Sequence, residues 1–125
     1  MLKETIMTKE APKAIGPYSQ AIKVGNLVYT SGQLPIYPET GEMPDNIEEQ
    51  TRVSLENLKK VVEAAGASLQ QVIKTTVFLS DMSHFAAMNQ IYGEFFTDNY
   101  PARSAIEVAR LPKDAMIEIE AIAMI

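Results

Sequence analysis

The sequence predicts an α+β fold in two layers, with two helices on one face of a single sheet that is mostly antiparallel or mixed. Three observations carry this reading. Apolar residues recur at helical spacing twice, after Asn46 and after Ser83; β-prone runs stand before, between and after those stretches; and the resulting order ββαβαββ leaves both helices needing the same apolar sheet face. A chain of 125 residues can bury a core without disulfides or metals, so one domain over 1–125 is expected.

The elements follow in order. Residues 18 to 24 and 27 to 31, YSQAIKV and LVYTS, are β-prone and are separated by Gly25 and Asn26, a pair that readily adopts the positive φ of a tight hairpin turn. LPIYPETGEMPD, 34 to 45, holds three prolines and a glycine and reads as a loop. Asn46 can cap a helix with Glu49 three residues on, and Thr51, Leu55, Leu58, Val62 and Ala65 form its inner stripe until Gly66 ends it. VIKTTVFL, 72 to 79, is rich in β-branched residues and is expected to be a strand largely covered on both faces. Ser83 is expected to cap a second helix whose inner face is Phe85, Met88, Tyr92 and Phe96, and which ends at Asn99, Tyr100 and Pro101.

Residues 103 to 110 and 116 to 124 flank the turn-like LPKD, 111 to 114, and most simply form a second hairpin. With a four-residue loop, Ile106 and Val108 share a face with Ile117, Ile119 and Ala121, under the helices. Arg103, Ala105 and Glu107 then share the opposite face with Glu118, Glu120 and Ile122. That face is too charged for a core and too apolar for a solvated sheet, so subunits are expected to meet there.

Composition removes several classes of function. The chain has no cysteine, which excludes disulfides, thiolate metal sites and cysteine nucleophiles and makes the cytoplasm the expected compartment. Eleven Lys and Arg against sixteen Asp and Glu give a net charge of −5, a field that repels phosphate backbones and weighs against nucleic acid. No apolar stretch has signal-peptide or membrane-span length, so neither export by that route nor a membrane location is expected. The GxGxxG, GxxxxGK[ST] and HExxH patterns are absent, and the one histidine, His84, has no carboxylate neighbours at metal-site spacing. The chemistry expected is therefore cofactor-free and metal-free acid–base or electrostatic work.

Among residues that could perform it, Arg103 in PARS stands at a strand start, where its planar fork can take a carboxylate or phosphate by two parallel hydrogen bonds. The plainer alternative is a surface ion pair with Glu118 or Glu120. Either glutamate, alternating with isoleucines, could hold or deprotonate a water if partly buried, and periodicity does not choose between them. Tyr18, Ser31 and Gly32 lie where the first hairpin's strands begin and end, offering a phenol, a hydroxyl and an accessible backbone N–H. Ser31 lacks the flanking glycines of a nucleophile elbow and has no histidine partner in the pattern, which argues against a hydrolase triad.

APKAIGPYSQAIKVGNLVYTSGQ at 11 to 33 and YPARSAIEVARLPKDAMIEIEAIA at 100 to 123 closely resemble the RidA family, also called YjgF, and the match runs end to end through EAAGAS and TTVFLSDM. The resemblance implies a chorismate-mutase-like α+β sandwich and a homotrimer with ligand sites in clefts between subunits. It also implies an enamine/imine deaminase that hydrolyses 2-aminoacrylate and related 2-imino acids, such as those left by pyridoxal-phosphate enzymes, to 2-oxo acids and ammonia. The family's carboxylate-binding arginine matches Arg103 and its water-activating glutamate matches Glu118; Tyr18, Ser31, Gly32, Asn89 and Ala105 match pocket positions. Many relatives carry cysteine where this chain has Ala105, a position expected to act through its main chain, so thiol-dependent regulation is excluded here. Two other readings remain open: a carboxylate-sensing regulator without turnover and, ranked last, a ribonuclease or translation inhibitor.

Overall fold

The computed structural model describes residues 2–125 and comprises, in chain order, strands β1 (Lys3–Ile6), β2 (Ala21–Val24) and β3 (Leu27–Thr30), helix α1 (Ile47–Ala64), strand β4 (Val72–Leu79), helix α2 (Phe85–Phe95), and strands β5 (Ala102–Glu107) and β6 (Ile117–Met124). The six strands form one sheet in the order β1-β2-β3-β6-β4-β5. Every pairing is antiparallel except β4 with β5, so the expected mixed sheet is present, and both helices cover one of its faces. Among the described residues no helix is long and apolar enough to cross a membrane.

The local signals hold where chemistry is local. Gly25 has φ +60° and turns β2 into β3, with Asn26 at negative φ, the pattern of a two-residue turn that needs glycine at its first central position. The Asn46 side chain accepts the Glu49 N–H at 2.8 Å and caps α1. Leu55, Leu58 and Val62 are fully buried beneath that helix, each contributing about 1.5–3 kcal/mol of burial. Past the helix end, the Gly66 N–H donates to the Glu63 carbonyl and the Ala67 N–H to that of Val62, which satisfies carbonyls the helix leaves open; Gly66 has φ +91° to permit it.

Four expectations are corrected. An additional strand, β1, precedes the hairpin and pairs antiparallel with β2, burying Ile6 against Ala21. Strand β4 is covered on one face only: Val72, Thr75, Val77 and Leu79 are buried, whereas Thr76 and Phe78 look onto the open face half-buried. Ser83 does not cap α2; the Asp81 side chain accepts the Ser83 N–H at 2.8 Å in a 3-10 turn that leads into the helix, and α2 closes at Phe95, well short of Pro101.

The fourth correction matters most. Strands β5 and β6 are not a hairpin. Helix α2 carries the chain from β4 back to the same edge, so β5 lies parallel to β4, as a strand–helix–strand crossover requires, and β6 enters on the other side of β4. The registers then fix the faces. Thr75, Val77 and Leu79 oppose Arg103, Ala105 and Glu107 on β5, and oppose Ala121, Ile119 and Ile117 on β6. Arg103 and Ala105 therefore lie on the helix-covered face, and Ile106 looks onto the open face with Phe78 and Glu118.

Candidate active site

Arg103 stands on β5, the edge strand, at the rim of the helix layer. Its guanidinium carbon lies 4.7 Å from the ring centroid of Tyr92 and 5.5 Å from that of Phe85, both on α2. Its Nη1 donates to the Asn89 side-chain carbonyl at 2.7 Å. Residues 85, 89 and 92 recur at helical spacing, so a single face of α2 supplies both the aromatic bed and the amide. The bed is itself anchored: the hydroxyls of Tyr92 and fully buried Thr75 hydrogen-bond at 2.7 Å. Burial pushes the Tyr92 phenol up, which outweighs the opposing effects of the Thr75 bond and the Arg103 charge, so the ring stays neutral beneath the cation.

The other two arginines are ion-paired, Arg52 with Glu49 and Glu94 and Arg110 with Asp114. Among the described residues Arg103 has no carboxylate partner, and the surface ion pair weighed above does not form. A positioned guanidinium whose hydrogen-bond partner is a neutral amide keeps its remaining donors for an anion. Those donors face an open cavity of about 440 Å³ lined by Asn89, Tyr92, Gly93, Tyr100, Pro101 and Arg103.

Glu118 occupies the opposite face of the sheet. Its neighbours Ile117 and Ile119 are fully buried under the helices, so alternation turns its carboxylate to the open face, across from Phe78. There it is half-buried and lies over the backbone of Gly32. Loss of water raises the pKa of its carboxyl group above the ordinary glutamate value, and the charge of Glu120, two residues on along the same face, raises it further. Of the two glutamates that periodicity does not separate, it is Glu118 whose carboxylate lies against Gly32.

Ser31 and Gly32 directly follow β3 beside this carboxylate. The Ser31 hydroxyl donates to the Ser19 carbonyl at 2.6 Å and its N–H to the Gln20 carbonyl at 2.8 Å, which ties the Tyr18 segment to the same edge. Tyr18 is half-exposed. The expected residues thus fall into two groups: Arg103 with Asn89 and Ala105 on the helix side, and Glu118 with Gly32, Ser31 and the Tyr18 segment on the open side. The expectation that Arg103 and Glu118 share a sheet face is overturned by the parallel β4–β5 register. His84 precedes α2 half-buried, its Nδ1 without a protein hydrogen-bond partner.

In the sequence Phe85 and Tyr92 read only as core residues, and their helical spacing to Asn89 is the signal that they share its face; nothing in the sequence marks Thr75, on β4, as the partner of the Tyr92 hydroxyl. Gln33 was also missed. Its N–H donates to the Ile119 carbonyl at 2.8 Å and its carbonyl accepts from Ile119 N–H at 3.2 Å, and nothing in the local pattern marks that pairing.

Comparison with known proteins finds relatives that match the chain in sequence and in fold. The family model described as Endoribonuclease L-PSP matches residues 8–125. A RutC family protein of Pyrococcus abyssi is 58% identical, with 98% of each chain covered. The 2-iminobutanoate/2-iminopropanoate deaminase of Escherichia coli K12 is 52% identical, again over 98% of each chain. The crystal structure of Escherichia coli TdcF with bound serine superimposes with a TM-score of 0.95 at 50% identity, covering 98% of both chains. With matches of this extent in both sequence and fold, the chain belongs to the Endoribonuclease L-PSP family, the family of the YjgF, RidA and RutC proteins.

Proposed function

We propose that the protein is an imine deaminase, hydrolysing 2-iminopropanoate and related 2-imino acids to 2-oxo acids and ammonia. The observation that carries this reading is Arg103: a guanidinium held by Asn89 on an aromatic bed, without a carboxylate partner, is a preorganised clamp for a small carboxylate. The half-buried Glu118, with its raised pKa, supplies the base. The relative named as a deaminase and the relative whose structure holds serine, a molecule with an α-carboxylate and an α-nitrogen, support the same substrate class.

In the reaction, Arg103 holds the carboxylate of the 2-imino acid and Glu118 takes a proton from water as its oxygen bonds to the imine carbon. Glu118 passes that proton to the nitrogen, giving a carbinolamine; the hydroxyl proton is then transferred through Glu118 to the amine as the C–N bond breaks, so ammonia leaves, the 2-oxo acid forms and the carboxylate is restored. One water enters and one ammonia departs, with no change of oxidation state. For 2-aminoacrylate, protonation of the terminal carbon first gives the imine, and the product is pyruvate. The backbone near Gly32 and the Tyr18 and Ser31 segment line the open side of the pocket, and the main chain of Ala105 lines the other.

Arg103 and Glu118 of one chain occupy opposite faces of the sheet, so this reading requires two copies. A homotrimer with sites between subunits meets that requirement. Arg103 stands on an edge strand, and the open face exposes Tyr29 (45%), Ile106 (44%) and Met124 (46%), apolar surface of the kind that marks protein contacts. The regulator reading needs the clamp but gives Glu118 no task. The ribonuclease reading draws on the family description, yet the net charge is −5 and two of the three arginines are committed to ion pairs.

The test generates 2-aminoacrylate with a pyridoxal-phosphate serine dehydratase and follows pyruvate release. Wild type should accelerate release, whereas Arg103→Ala and Glu118→Ala should fall to the buffer rate; a labelled single-stranded RNA should remain intact. Failure of wild type to exceed the buffer rate across several imino acids would give the regulator reading precedence.

A further inference from the structure

We infer that Gly32 is a positioning residue for Glu118, and that its contribution is the space left by its missing side chain. The inference rests on the reading of Glu118 as the water-activating group. Gly16, Gly25, Gly41 and Gly66 adopt positive φ, where side chains are strained; Gly32 does not. Backbone conformation therefore gives no reason for glycine at 32. Space does. A Cβ at this position would overlap the Glu118 carboxylate oxygen and would lie 2.7 Å from its Cδ and 2.9 Å from its Cγ. At Gly16, Gly41 and Gly93 a Cβ would meet nothing within 4 Å.

Neither backbone can retreat from such an overlap. On one side of Gly32, Ser31 is tied to Gln20 and Ser19; on the other, Gln33 exchanges two backbone hydrogen bonds with Ile119, and its carbonyl also accepts from the fully buried Ser54 hydroxyl at 2.7 Å. Ile117 and Ile119, fully buried, fix the Glu118 Cα. The part free to move is the end of the glutamate side chain. A methyl at 32 would thus leave the fold intact and drive the carboxylate from its half-buried place. Of the groups around it, Glu120 on the same strand carries charge, whereas β4 presents Phe78 opposite Glu118 and Thr76 opposite Glu120. Displacement toward water would return its titration toward that of an ordinary glutamate.

The test is Gly32→Ala, read by carboxyl-carbon NMR titration with the Glu118 resonance identified by its loss in Glu118→Gln, alongside imine-hydrolysis kinetics over pH. The expected result is a folded protein, a downward shift of the Glu118 titration, a kcat about 10- to 100-fold lower and a KM within about twofold, since Arg103 still holds the substrate. The acid limb of kcat should move with the NMR titration, which a merely structural defect would not produce. An unchanged Glu118 titration overturns the inference. A shifted titration with unchanged kcat upholds the placement and refutes the catalytic reading of Glu118, so the two failures are distinct. Should Gly32→Ala lose stability, the same change in a Glu118→Ala background should be neutral, because the atoms nearest the added Cβ, Glu118 Oε2, Cδ and Cγ, are gone; persistent instability there also overturns the inference.

Discussion

If Arg103 and Glu118 serve one substrate from two chains, two inactive variants should complement each other. A chain carrying Arg103→Ala keeps its glutamate, and a chain carrying Glu118→Ala keeps its arginine. The structure separates these side chains onto opposite faces of one sheet, so on the proposed reading each complete site would take one from each neighbour. In a randomly mixed 1:1 assembly, the chance that an intact glutamate meets an intact arginine is one half times one half. About a quarter of the sites should then be complete, whether the closed assembly is a dimer or a trimer. The assay co-refolds differently tagged variants, isolates mixed assemblies by both tags and follows pyruvate release from 2-aminoacrylate. Tandem purification removes the pure assemblies, so the yield per purified protomer rises to about a third in a trimer, where every mixed ring holds one complete interface of three. A control mixes wild type with the Arg103→Ala/Glu118→Ala double variant: activity per total protomer should fall to about a quarter for shared sites but only to about a half for sites within one chain. Mixed assemblies that remain at the buffer rate would refute the shared site.

The remaining predictions concern the parts that hold these groups. Asn89→Ala removes the hydrogen bond to Arg103 Nη1 but leaves the aromatic bed; loss of a charge-assisted bond of about 1.5 kcal/mol should raise KM for 2-imino acids about tenfold with kcat little changed. Thr75→Val leaves the Tyr92 hydroxyl without its partner at a buried position and should cost about 1–3 kcal/mol in urea unfolding, most of it recovered in Thr75→Val/Tyr92→Phe. For Glu118 the folded state favours the protonated form, so its ionisation costs stability progressively as pH rises from the ordinary glutamate range, about 4.3, through the raised folded value. Glu118→Gln should accordingly have the higher Tm at neutral pH and converge on wild type in acid, and the wild-type kcat should lose activity on the acid side at a pH above the ordinary glutamate range.

What could be read from the chain depended on how far each signal had to reach. Asn46, the Thr51 to Ala65 stripe and Gly66 delimit α1 because caps and helical periodicity involve residues within a few positions of one another. Strand β1 escaped notice because its Lys, Glu and Thr remain exposed at the sheet edge and only Ile6 is buried, leaving no alternation to detect. Within β5 and within β6 alternation holds: Arg103 shares a face with Ala105, and Glu118 with Glu120. What alternation lacks is an origin. Which face of one strand matches which face of another is decided by pairing, and a change of partner from β6 to β4 reversed β5 relative to the helices.

That reversal changes what the site requires. With Arg103 and Glu118 on one face, a single chain could have held a carboxylate and a water together, and the apolar open face would have stood apart from the chemistry. With the two groups on opposite faces, an incomplete site and an uncovered apolar surface call for the same remedy, a second copy. If the proposed assembly forms through this face, covering Tyr29, Ile106 and Met124 would remove apolar area from water, and enclosing Glu118 would take further water from a carboxylate already half-buried. On the proposed assembly, association and the titration of Glu118 are coupled, so a substitution such as Ile106→Lys on the open face should weaken assembly and lower the Glu118 titration together, while leaving the Arg103 bed on α2 untouched.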